Sequence, residues 1–453
     1  MSISVRVGLV VLSSVLGILV FPPFGIWWLA LVAWVPLFVA VQGLSARPAF
    51  YAGLGQGILL YGVTLSWLWG LFGPSSIALW IIVAAFVGLA CALMAALKLK
   101  GYWGACLGAA IWVGCEFFRS EIYALHFPWI TPGTGMTPSY FSPIFGVYGV
   151  SFLIIFGSIL LREKGRDRNV GICWLLILLV AGFTNKSSVR GDLKVLAIQN
   201  EEGSFEDKFK QTTDSFDDHA AIVWPELSLG RDLDEIERSK KKLLEFTHEK
   251  KTLMVVGGYV DSGGEKNYNA AMTLDAGAEA GMHFKNKPVP LFNDSKKGTE
   301  AKSIETSIGK IGTPICFDCD HEGVIRRMVA DGASLILAPS LDAKSWSARQ
   351  HDQHSELFRH RAAENGRWIM VAASSGKTQV IDPYGNRVAD IPLMEPGVLS
   401  GKVSLESGRT IYNRFGWLTG WLCLAIAGIA LLLAIFRGVR GKFSARSRKF
   451  NVG

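Results

Sequence analysis

The chain has 453 residues, half of them hydrophobic, and a formal net charge of +8, with a mean hydropathy of +0.30. That hydropathy excludes a wholly water-soluble protein and calls for membrane spans. No nucleic-acid motif accompanies the basic excess, which reads as a topology signal and an attraction for anionic lipid, with no nucleic-acid partner.

In chain order, apolar stretches long enough to cross about 30 Å of hydrocarbon are predicted at 7–21, 27–41, 51–69, 78–97, 102–118, 140–161 and 171–183. The first follows Arg6, but Phe21-Pro22-Pro23-Phe24-Gly25 runs straight into the next stretch with no small-residue cleavage site. A retained helical hairpin is predicted there, not a signal peptide. An eighth span is predicted at 415–436. Basic residues mark the loops: Arg6, Arg47, Lys98, Lys100, Arg162, Lys164, Arg166 and Arg168, with Arg437, Arg440, Lys442, Arg446, Arg448 and Lys449 in the tail. Eight crossings put all of them on one side, the cytoplasm, and the long segment between the seventh and eighth spans on the other. The predicted organisation is therefore a membrane domain of seven helices over 1–188, an extracytoplasmic domain over 189–408, and an eighth helix with a basic tail over 409–453.

Within the extracytoplasmic segment, strand-length apolar runs are predicted at 193–198, 221–224, 253–259, 270–275, 308–316, 334–339, 368–373 and 378–382, bounded by Gly, Asp, Asn and Pro. A polar helical stretch carries Phe205, Phe209 and Phe216, and amphipathic helices are predicted at 322–330 and 350–365. Strands mixed with helices in this order imply an α/β sandwich.

Of seven cysteines, Cys316 and Cys319 fall in this domain. A zinc site lacks a second Cys pair, so no metal is expected; a disulfide between the two is open, and would silence Cys316. A thiol is a useful nucleophile as thiolate, so a base and a cation are needed nearby. Trp224-Pro225-Glu226 and His283-Phe284-Lys285 supply both, each at the end of an apolar run. Glu226 is the candidate to take the Cys316 proton, and Lys285 to hold the oxyanion formed when the thiolate attacks a carbonyl. Taken singly, a Glu after Trp-Pro is most often a helix-start acid, a Lys after Phe a solvated one, and a Cys in a strand a core residue. In this order together they are far more specific.

The order Glu226, Lys285, Cys316 resembles the catalytic triad of the nitrilase superfamily, and the chain as a whole resembles its apolipoprotein N-acyltransferase family of the bacterial inner membrane. The likeness runs nearly end to end: Phe21-Pro22-Pro23-Phe24-Gly25 with Val35-Pro36-Leu37, Phe127-Pro128-Trp129, Gly146-Val147-Tyr148-Gly149-Val150-Ser151-Phe152, Gln199-Asn200, Tyr268-Asn269, Val289-Pro290, Asp342-Ala343 and Gln350-His351. The resemblance implies an α-β-β-α sandwich joined to a multi-span α-helical membrane domain. It also implies a fatty acyl chain moved from a phospholipid to the α-amine of a diacylglyceryl-modified apolipoprotein through a Cys316 thioester, with no cofactor. Phe317-Asp318 stands where the family has Tyr-Glu, so Asp318 is expected to support the site, with a backbone N–H near Phe317 joining Lys285 at the oxyanion. Leu291-Phe292-Asn293-Asp294 stands where the family has Phe-Gly-Glu, so Asp294 is the candidate compensating carboxylate. Leu291, Phe292 and Trp346 are the lid candidates. Two other readings fit the same residues: hydrolysis of an amide or nitrile C–N bond, and a non-catalytic membrane protein that binds lipoproteins.

Overall fold

A computed structural model describes residues 1–184, 191–292 and 295–450, which divide into two units. The first comprises Met1–Thr137, Val147–Phe183 and Leu418–Gly453 and is built of helices. Four helices among the described residues are long and apolar enough to cross a membrane: Ile3–Val20, Ser75–Leu97, Ser142–Leu161 and Tyr412–Gly438. The stretches expected at 51–69, 102–118 and 171–183 are also helical, as Ala46–Thr64, Gly101–Phe117 and Arg166–Phe183. Trp27–Leu31 and Val35–Val41 are separate short helices, because Pro36 lacks the N–H needed for a continuous ladder. Many large apolar side chains of this unit face outward, among them Val7, Ile177, Val180, Leu422 and Leu432. Water would charge heavily for that exposure, whereas lipid does not. Small residues let helices touch: a Cβ on Gly57 would lie 2.7 Å from Ala84 Cβ, and one on Gly53 2.8 Å from Val87 O.

The second unit, Pro138–Gly146 with Thr184–Trp417, is α/β. Its strands are β1 (Leu193–Gln199), β2 (Ala221–Val223), β3 (Leu253–Val260), β4 (Tyr268–Asp275), β5 (Ala278–Phe284), β6 (Ile304–Thr306), β7 (Gly309–Gly312), β8 (Leu335–Ser340), β9 (Ile369–Ala373), β10 (Gln379–Ile381), β11 (Arg387–Asp390) and β12 (Gly397–Val403). They form two six-stranded sheets, ordered β12-β1-β2-β3-β4-β5 and β11-β10-β9-β8-β7-β6. Strands β1, β2 and β3 run parallel, as do β7, β8 and β9, so both faces of these strands must be covered and their sequences read as unbroken apolar runs.

The coverage is visible in three clusters. Val195, Ala197, Val223 and Val255 of one sheet pack against Ile311, Leu335, Leu337 and Met370 of the other. On the far side of the first sheet, Leu196, Ile222 and Met254 meet Ile236, Leu243 and Phe246 of helix Leu233–Lys250. On the far side of the second, Ile336 and Val371 meet Val324, Ile325 and Met328 of helix Glu322–Ala330 and Phe358 of helix Ala348–Asn365. The result is the expected α-β-β-α sandwich. One expected strand is shorter than predicted: the run at 308–316 leaves the sheet after Gly312, and Cys316–Cys319 is a 3₁₀ turn. That early exit sets up the site.

Candidate active site

Each candidate side chain leaves the end of a strand. Glu226 follows β2, where Trp224 anchors the chain by donating its indole N–H to Thr212 Oγ1 at 2.9 Å. The Glu226 backbone crosses β3 at Gly257, where a Cβ would come within 2.5 Å of Leu227 N and 2.7 Å of Glu226 Cα. A side chain at 257 would therefore push the carboxylate out of place. Lys285 follows β5 and is tied to β4 by its N–H donating to Asn269 O at 2.9 Å. The Lys285 ammonium donates to Glu226 Oε1 at 2.7 Å, and the Asn269 amide donates to the same oxygen at 2.6 Å. The other oxygen, Glu226 Oε2, accepts from the Leu341 N–H at 2.9 Å. With Glu226 and Lys285 only 3% and 2% exposed, these charge-assisted contacts operate away from water, where they are strong.

Cys316 sits at φ +48°, a left-handed conformation that costs a non-glycine residue about 1–2 kcal/mol and that recurs where a functional side chain must be presented. Its Sγ donates to Leu341 O at 3.6 Å. The two backbone groups of Leu341 thus engage both the thiol and the carboxylate. Burial pushes the Cys316 thiol well above its ordinary range, Glu226 adds to that, and Lys285 opposes it. These causes favour the protonated thiol over the thiolate.

Asp318 holds the strained turn. Its Oδ2 accepts from the Ile315 N–H at 3.1 Å and from His283 Nε2 at 2.9 Å. Its Oδ1 accepts from the N–H groups of Asn286 at 2.9 Å and Lys287 at 2.7 Å. One fully buried carboxylate therefore joins the Cys316 turn to the segment that carries Lys285. Phe317 is buried and sets its ring edge-on to His321. Cys316 and Cys319 are both free thiols. Asn293 and Asp294 lie outside the described residues. Leu291 and Phe292 are exposed, and Phe292 stacks on Trp346 with ring centroids 5.9 Å apart.

Several contributing groups carry no sequence signal strong enough to assign a role: Asn269, His283, Leu341 and the buried Asp320, Asp342 and His354. Asn269 and Asp342 fall within motifs, but what they touch depends on strand register and loop path.

The model for the apolipoprotein N-acyltransferase N-terminal domain matches residues 13–160, and that for carbon-nitrogen hydrolase matches residues 218–413. The apolipoprotein N-acyltransferase of Geobacter metallireducens is 28% identical over 94% of this chain and 95% of its own length. That of Pseudomonas paraeruginosa is 26% identical over 91% and 92%. A crystal structure of an amidase from Nesterenkonia sp. is 17% identical, covering 51% of this chain and 96% of its own, with a TM-score of 0.42. Matched in both units, the chain carries an apolipoprotein N-acyltransferase N-terminal domain and a carbon-nitrogen hydrolase domain, and is similar to apolipoprotein N-acyltransferases along nearly their full length.

Proposed function

We propose that this protein transfers a fatty acyl chain from a phospholipid to the α-amine of a diacylglyceryl-cysteine at a lipoprotein's N-terminus, through a thioester on Cys316. The observation that carries this reading is the convergence of Cys316 Sγ and the Glu226 carboxylate on one residue, Leu341, with Lys285 on the carboxylate. Glu226 takes the thiol proton as sulfur attacks the ester carbonyl, and Lys285 with the Phe317 N–H stabilises the tetrahedral oxyanion. Collapse breaks the ester C–O bond, and the lysophospholipid oxygen leaves with the proton from Glu226. The lipoprotein amine then attacks the thioester and gives a proton to Glu226. Collapse of the second tetrahedral intermediate breaks the C–S bond, and the thiolate recovers that proton.

Water must be kept from the thioester, a task that suits the stacked Phe292–Trp346 pair with Leu291 as a lid. The outward apolar side chains of the helical unit support a membrane location. The one-sided basic loops favour eight crossings of the bacterial inner membrane, with the catalytic domain on the periplasmic side.

Intact-mass analysis of the purified full chain incubated with phospholipid tests the proposal. A mass increase of one acyl chain, lost on adding an amine-bearing lipopeptide and absent in Cys316→Ala, is expected. Release of ammonia from small amides with no acyl adduct would favour a C–N hydrolase, and neither product a non-catalytic role.

A further inference from the structure

A line of buried titratable groups runs behind the thiol. Asp320 caps the Cys316–Cys319 turn, its N–H donating to Phe317 O at 3.2 Å, and its Oδ1 lies 3.0 Å from His354 Nε2. The other ring nitrogen, His354 Nδ1, lies 2.7 Å from Asp342 Oδ1. None of the three residues is more than 3% exposed. A neutral imidazole has one N–H and would turn a lone pair toward one of the two carboxylates, whereas an imidazolium donates to Asp342 through Nδ1 and pairs by charge with Asp320 at Nε2.

Asp342 fixes its own loop. Its carboxylate accepts from Ser340 Oγ at 3.0 Å and from Gln350 Nε2 at 3.4 Å. Its backbone N–H and C=O both pair with Ser374 Oγ, at 3.1 and 3.0 Å. Leu341 lies between these pinned neighbours, and its N–H and C=O engage Glu226 and Cys316.

We infer that His354, as an imidazolium, is a positioning residue that locks Asp320 at the end of the nucleophile's turn to Asp342 in the loop that holds both thiol and base. The titratable groups facing it are Asp320 from that turn, Asp342 from the loop after β8, and His351 on its own helix. Burial works against charge on His354, but the two carboxylates override it and hold its pKa well above the ordinary imidazole range. Burial works against the Asp342 charge too, but His354 leads the groups that bring that carboxyl down to about 2. His351 is kept low by burial and donates no competing charge.

The kinetic test rests on the acyl-transfer reading, and a spectroscopic arm does not. Thioester formation on Cys316 is followed by intact mass in a single turnover between pH 5 and 9, in wild type, His354→Gln and Asp320→Asn. Loosening Leu341 weakens its hold on both the Glu226 carboxylate and the Cys316 thiol. Both variants are therefore expected to acylate at least about tenfold more slowly at pH 7, a loss larger than any fall in the folded fraction. A loss that only tracks the folded fraction would overturn the proposal. In wild type, nitrogen-15 histidine spectra should show one ring at pH 8 with both N–H protons present and both shifted downfield by carboxylate acceptors. Absence of any such ring overturns the proposal even if the variants fail to fold. No adduct in wild type would instead sink the acyl-transfer reading, leaving the spectrum to judge His354.

Discussion

Glu226→Gln is the sharpest test of the mechanism because it keeps shape while removing charge and basicity. The carboxylate accepts from Lys285 and Asn269 on one oxygen and from the Leu341 N–H on the other. A glutamine serves the first pair with its carbonyl oxygen and then turns an NH₂ group toward the Leu341 N–H. Donor meets donor, one buried hydrogen bond is lost, and Lys285 loses its carboxylate. Breaking a buried ion pair in this way costs about 3–5 kcal/mol of stability, and removing a general base costs about 100- to 10,000-fold in rate. Rapid quench with intact-mass detection should show thioester formation slowed at least about a hundredfold at pH 7. Thermal unfolding of the same samples separates that loss from misfolding. Acylation within tenfold of wild type would refute the assignment of Glu226 as base.

Cys316→Ala should abolish the acyl adduct while Cys319→Ala retains it, because only the thiol beside Leu341 and Glu226 has a base; intact mass decides. Asp318→Asn should slow acylation and lower stability by about 1–3 kcal/mol, read from the adduct rate and the unfolding midpoint, since an amide cannot accept from all four donors around that site. For stability against pH, His354 has a raised folded pKa, so its contribution is complete below about pH 6.5 and is lost as pH rises through the folded value. Thermal melts at alkaline pH should decline less steeply in His354→Gln than in wild type. Asp342 works in the opposite sense, contributing above about pH 3.9 and losing that contribution as pH falls through about 2. A reporter fused after Lys449 should be cytoplasmic and one inserted at Gly263 extracytoplasmic; both on one side would remove a crossing.

The sandwich was legible because parallel strands buried on both faces write themselves as apolar runs, and β1, β3, β8 and β9 are such runs. Strand β5 was not, because Ala278, Glu279 and Ala280 are exposed at an edge. Helix Leu233–Lys250 hid its apolar stripe of Ile236, Leu243 and Phe246 among charges. In the site, Glu226, Lys285 and Cys316 stand out through order and neighbours, but the left-handed turn at Cys316 is a backbone property inside an apolar run. Nor does sequence announce His354, whose partners come from a turn and a loop that only the fold aligns.

Thiol and base are carried by different sheets: Glu226 and Lys285 leave β2 and β5 of one, and Cys316 leaves β7 of the other. The Glu226–Leu341 contact alone closes a separation of 115 residues, a non-local contact with a high loop-closure cost. Until both sheets have stacked, Cys316 lacks the Leu341 and Glu226 contacts that the proposed acyl transfer uses. Under the proposed acyl transfer the thioester would report assembly, since an adduct would form only on a molecule whose two sheets have met.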